Sequence, residues 1–140
     1  MGTNAIFLPG LAMALLTFAV WWRMYFTRIG QMKRERIHPQ SVALSSQAAT
    51  RLTDSRAADN FRNLFELPVL FYLAVVVAAQ AGLATTPILL LAWLFVLLRF
   101  AHSWIQCTYN KVMHRFYVYV AGGMVLWAMW GVLGYGLLRA

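Results

Sequence analysis

The sequence predicts an all-α membrane protein, a bundle of four transmembrane helices. Three observations carry that expectation. Apolar residues make up 61% of the 140 residues and charged residues only 11%. Four long segments carry no charge: AIFLPGLAMALLTFAVWW (5–22), LPVLFYLAVVVAA (67–79), PILLLAWLFVLL (87–98) and FYVYVAGGMVLWAMWGVLGYGLL (116–138). The positive charge is concentrated in the connections between alternate segments. A length of 140 residues suits one domain, residues 1–140.

A span needs about 20 mostly apolar residues. The first and last segments reach that directly. The middle two reach it only when extended, the second backwards through Asn63 and Glu66, the third forwards through Arg99 and His102. The spans are therefore expected at about 5–27, 62–81, 86–107 and 116–138, with a polar loop at about 29–60. In the first span, Trp21, Trp22 and Tyr25 read as an interfacial aromatic belt, with Arg23 and Arg28 at the water boundary. The N-terminus has no basic leader, since its first positive side chain is Arg23, so this segment is expected to stay as a helix and not be removed as a signal peptide.

In the loop, Pro39 breaks any helix, and the chain is expected to become helical again near 54–60 and run on into the second span. Asp54 or Ser55 is the expected N-cap. Pro87 opens the third span after the cap candidates Thr85 and Thr86. Five glycines in the fourth span, Gly122, Gly123, Gly131, Gly134 and Gly136, suggest close helix approach.

The net charge of +8 sets the orientation. Arg28, Lys33, Arg34, Arg36, Arg51 and Arg56 fall in the first connection, none in the second (QAGLATTP), and Lys111 and Arg115 in the third. The positive-inside rule then puts the first and third connections in the cytoplasm and both termini on the non-cytoplasmic side. In a bacterium the expected location is the inner membrane. No nucleic-acid partner is expected, because the basic loop lacks interleaved aromatics. The single cysteine, Cys107, excludes an internal disulfide framework and a multi-thiolate metal site, and no metal is expected.

Polar residues embedded at span ends carry the chemistry. Arg99, His102, Gln106 and Asn110 follow spacings of three, four and four, one face of a helix. Arg62 and Glu66 share a face in the second span, with Asn63 between them. Arg115 and Tyr119 are one turn apart at the start of the fourth span. Chain order places all of these at the cytoplasmic end. From Arg99 to Asn110 the stripe runs roughly 16 Å at about 1.5 Å per residue, so it reaches well into the slab. Charges at that depth cost several kcal/mol unless paired or wetted, and so face the bundle interior or a cleft. Single members have structural readings: Arg62 with Glu66 as a neutralising pair, Asn63 as an interhelical hydrogen bond, Arg99 as a snorkelling side chain. Together they give arginine in excess over one carboxylate, Glu66, which suits an anionic ligand.

NFRNLFELPVLFY in the second span, RFAHSWIQCTYNKVMHR across the third and fourth, and the four-span plan resemble the MAPEG proteins, the membrane-associated proteins of eicosanoid and glutathione metabolism. The likeness covers most of residues 15 to 135 and is closer to the bacterial branch than to the eicosanoid enzymes. It implies a homotrimer, with glutathione as co-substrate in a cytoplasmic-side cleft between neighbouring subunits and a lipophilic electrophile or peroxide arriving from the lipid bilayer. By position, Arg115 would hold the thiol as thiolate, and Tyr119 would lie near the thiol or the lipophilic substrate. Asn63 and Glu66 match the family's Asn-x-x-Glu pair, Arg62 the arginine before it, Arg99 and His102 the Arg-x-x-His pair, and Arg28 the arginine ending the first span. Asp59 stands where several eicosanoid enzymes have a second arginine, and Gln106 where some members have a ligand-contacting tyrosine.

The implied activity is a glutathione-dependent transferase or peroxidase. The competing reading is a non-catalytic membrane module that binds an anionic or thiol ligand or scaffolds a membrane complex. A small transporter is disfavoured, because Glu66 sits near a span end and not at mid-membrane. His102 has two readings, an acid or base and a buried hydrogen-bonded histidine. Cys107 reads as a packing residue.

Overall fold

The computed structural model describes residues 3–139. A 3-10 turn, Thr3–Ile6, leads into α1 (Phe7–Arg34). A second 3-10 turn (Pro39–Val42) and the short α2 (Ser45–Arg51) precede α3 (Arg56–Asn63), α4 (Leu67–Gln80), α5 (Thr86–Cys107) and α6 (Val112–Arg139). No strand occurs among the described residues. Four stretches are long and apolar enough to cross a membrane: Asn4–Arg34, Arg56–Gln80, Thr86–Cys107 and Val112–Arg139. The protein is an all-α, multi-pass integral membrane protein.

The buried positions recur at helical spacing: Met13, Leu16 and Val20 in α1; Phe71, Ala74 and Ala78 in α4; Ala92, Phe95 and Arg99 in α5; Gly122, Leu126, Met129 and Leu133 in α6. Phe71 and Phe95 stack with ring centroids 4.8 Å apart at the centre. Only 22 to 44% of each apolar window is buried, so most of the hydrocarbon surface points outward, as a bilayer demands. On α1 the outward rings form a ladder, Phe18, Trp21, Trp22, Tyr25 and Phe26, with successive centroids 5.1 to 6.4 Å apart.

Two expected boundaries shift. The first helix runs on to Arg34, because TRIGQMKR contains no breaker strong enough to end it and its last turn holds Lys33 and Arg34, which suit the terminal carbonyls. It stops in a left-handed residue, Arg36 (φ 53°), with Ile37 N–H closing on the Met32 carbonyl at 2.9 Å, a Schellman arrangement. The second span is not continuous. Pro68 has no N–H for the Leu64 carbonyl and its ring crowds that group, so the helix breaks at residues 64–66, where Glu66 takes φ −97° and ψ −106°. Ser55 is the N-cap of α3, although no side-chain cap bond forms there.

At the opposite end of the bundle, Gly82 (φ 67°) closes α4 by the same Schellman pattern, with Leu83 N–H on the Ala78 carbonyl at 2.9 Å. The Leu83 side chain then fills the space beside Gly136, where an added Cβ would lie 3.0 Å from Leu83 Cδ1. Of the five α6 glycines, only Gly136 is so tightly covered. Gly131 and Gly134 meet nothing within 4 Å.

Candidate functional site

A polar seam joins α3 to the last three turns of α5. Asn60 Oδ1 accepts from Ser103 Oγ (3.2 Å), while Asn60 Nδ2 donates to Cys107 Sγ (3.4 Å). One turn on, Asn63 Nδ2 donates to Gln106 Oε1 (3.1 Å). Arg99 Nη2 donates to the Asn63 backbone carbonyl (2.9 Å), a group that the break before Pro68 withdraws from regular helix bonding. Two further arginines hold the end of α5: Arg23 Nη2 on the Cys107 carbonyl and Arg56 Nη1 on the Thr108 carbonyl, both at 2.6 Å. These are C-terminal carbonyls with no partner in their own helix, and a cation is their natural complement. The polar clusters of all four spans therefore meet at one end of the bundle, as chain order predicts.

Beside the seam lies a hollow of about 170 Å³, lined by Asn63, His102, Val112, Arg115, Phe116 and Tyr119. Arg115 is held from behind, its Nη1 donating to Asn110 Oδ1 at 2.8 Å. His102 is buried, its ring 5.7 Å from that of Tyr119, and Arg99 and Arg115 are its charged neighbours. Arg99 is only 1% exposed and lies 5.7 Å from the Tyr119 ring centroid, with Glu66 as its nearby carboxylate. Arg99 does not snorkel. Its Nε and Nη1 and the Nδ1 of His102 have no hydrogen-bond partner. Buried donors are seldom left idle in a folded protein, and those that are mark places where water or a ligand completes the set.

A model of the MAPEG family matches residues 6–135. This chain belongs to the MAPEG family. That is a membrane family which includes glutathione transferases and peroxidases. No curated protein and no solved structure gave a match.

Within this MAPEG chain, four of the eight site residues read from the sequence, Asn63, His102, Arg115 and Tyr119, line one hollow. Arg99 abuts it through Tyr119, and Glu66 is exposed at the break near Arg99. Arg28 and Arg62 are not brought to it. They line a separate hollow of about 250 Å³ beneath α2, together with Asp54 and Asp59. Arg62 pairs with Asp59 (3.8 Å), and no Arg62–Glu66 pair forms. The two departures from the eicosanoid pattern thus have local roles: Asp59 takes Arg62 and the Ser55 hydroxyl (2.7 Å), and Gln106 takes Asn63. Asp54 accepts from Arg56 Nε (2.9 Å) and Nη2 (3.0 Å), and those hydrogen bonds hold its carboxyl below the ordinary range against a smaller opposing effect of burial. Asn60, Ser103, Arg56 and Asn110 were not singled out as site residues from the sequence. Their signal was a register: 56, 60 and 63 on α3 against 99, 103 and 106 on α5 with 110 beyond it, successive members three or four apart.

Proposed function

We propose that this MAPEG protein is a glutathione-dependent transferase or peroxidase acting on lipophilic electrophiles, with glutathione held as thiolate at Arg115. The observation that carries the reading is the hollow itself: a guanidinium fixed at its wall, a second one beneath Tyr119 with two unused donors, and one carboxylate, Glu66, nearby. Glutathione has two carboxylates, one ammonium and a thiol. Surplus arginine with a single glutamate complements that charge pattern.

A free thiol has a pKa of about 8.5 and is mostly protonated at neutral pH, so an adjacent guanidinium that favours the anion raises the nucleophile's concentration. In a transferase the thiolate lone pair forms the S–C bond while the electrophile's leaving group departs with its electrons. In a peroxidase the sulfur attacks the O–O bond, the alkoxide takes a proton, and a second glutathione converts the sulfenic acid to a disulfide with loss of water. Tyr119, one turn beyond Arg115, is placed to donate a hydrogen bond to sulfur or to the departing oxygen.

The hollow of about 170 Å³ is smaller than the ~300 Å³ at which ligand pockets begin, and its rim is made of exposed Val112 and Phe116. Both points favour a site completed by a neighbouring copy, and we propose a homotrimer whose clefts open towards the cytoplasm. The lipophilic substrate reaches the cleft along the exposed face of α6, past Phe116 and Tyr117.

The test is ultraviolet absorbance of the glutathione thiolate on detergent-purified protein at millimolar glutathione. The wild type is expected to show it and Arg115→Ala to abolish it. Absence of the signal in the wild type sinks the catalytic reading, and a thiolate signal without turnover of any electrophile or peroxide assigns the protein to non-catalytic ligand binding.

A further inference from the structure

Asn110 is one of two non-glycine residues with positive φ among those described, at 48°. That conformation is what lets the chain leave α5 and start α6 within a few residues. The turn is tied down from three directions: Asn110 N–H donates to the Ile105 carbonyl (2.8 Å), Arg23 holds the Cys107 carbonyl, and Arg56 holds the Thr108 carbonyl. From this fixed point the Asn110 amide oxygen accepts from Arg115 Nη1 at 2.8 Å. Arg115 lines the hollow and Asn110 does not, so the contact fixes the guanidinium from outside the hollow through one of its donors. The other groups around Arg115 do not do this job. From α5 it faces His102, whose other charged neighbour is Arg99, itself beside Glu66; from α6, Tyr119; from the end of α3, Asn63.

We propose that Asn110 is the positioning residue that aims Arg115 at the glutathione sulfur. The inference rests on the thiolate-holding role given to Arg115 above. It gives Asn110 two separable duties. The left-handed backbone is one, and glycine performs it at least as well as asparagine. The amide acceptor is the other, and glycine lacks it. An unaimed arginine is a flexible, strongly solvated side chain, and its effect on a neighbouring thiol falls as the separation grows.

Asn110→Gly therefore separates the duties. In full-length purified protein, the absorbance of bound glutathione thiolate is titrated against pH alongside a thermal melt. Asn110→Gly is expected to melt like the wild type while its bound thiol titrates closer to the free value of about 8.5, with several-fold less thiolate at neutral pH. Asn110→Asp keeps the turn and the acceptor but sets an anion on Arg115, and it too is expected to lose thiolate. A titration of Asn110→Gly that superimposes on the wild type overturns the inference, whatever the melt shows. Should Asn110→Gly fail to assemble, Asn110→Ala, which also lacks the amide acceptor, is titrated in its place, and a wild-type titration there overturns the inference equally. The parent reading fails in a different way: the wild type itself then shows no thiolate, and the inference falls with it.

Discussion

The two ends of this bundle are closed by different means. At the α4–α5 turn the helices meet through shape: Gly82 turns the chain, Leu83 fills the space over Gly136, and Phe71 stacks on Phe95 further in. At the other end they meet through directed bonds, from Arg23, Arg56, Asn60, Asn63, Arg99 and Ser103. Packing seals. Directed bonds hold elements at fixed distances while leaving donors unspent, and the hollow beside Arg115 is the space so created. On the function proposed above, stability rests chiefly on one end and ligand handling on the other.

The hardest way to strike at the packed end is Leu133→Ala. Truncating a fully buried leucine leaves a cavity and costs about 2–5 kcal/mol in comparable cores. A large fall in Tm is expected in detergent, while the thiolate titration of the protein that remains folded is unchanged. A shifted titration would show that the two ends are not independent. Asn63→Ala strikes the bonded end. It strands Gln106 Oε1 and removes a wall of the hollow, so a loss of about 1–3 kcal/mol is expected together with weaker glutathione binding by calorimetry. Loss of stability with unaltered affinity would remove Asn63 from the site.

The smallest effect belongs to the loop. The Asp54 carboxyl titrates below its usual 3.8 chiefly because Arg56 donates to it. Its contribution is therefore complete above that ordinary value and disappears as pH falls through the lowered one. Asp54→Asn should flatten this acid limb of the melt, by no more than the ~0.2–1 kcal/mol of an exposed pair. An unchanged acid limb would mean that Arg56 gains nothing from Asp54.

The four spans were legible because a charge-free run of bilayer length has little place outside hydrocarbon. The common depth of the polar residues was legible too, since chain order alone puts alternate helix ends together. Rotation about each helix axis was not. Spacing shows that Arg62 and Glu66 share a face, but not that Asp59, one turn back, would take the arginine and turn it under α2 with Arg28. Pro68 was visible, yet it stood just inside the apolar run of the second span, and a continuous apolar stretch hides a break that costs only one or two hydrogen bonds. Asn110 was read as the end of a stripe. Its positive φ depends on where α6 must start, which is a tertiary fact.

The break before Pro68 also bears on how the chain enters its bilayer. The second span carries the Asn63 carbonyl, held there by a long 3.4 Å bond from Glu66 N–H, and the third carries the guanidinium that completes it at 2.9 Å. Alone among acyl chains, the one would leave a backbone acceptor with only a long bond and the other a naked cation. Biosynthetic insertion thus favours the two spans crossing as a joined hairpin, with Arg99 already on its acceptor before either is released from the translocation machinery.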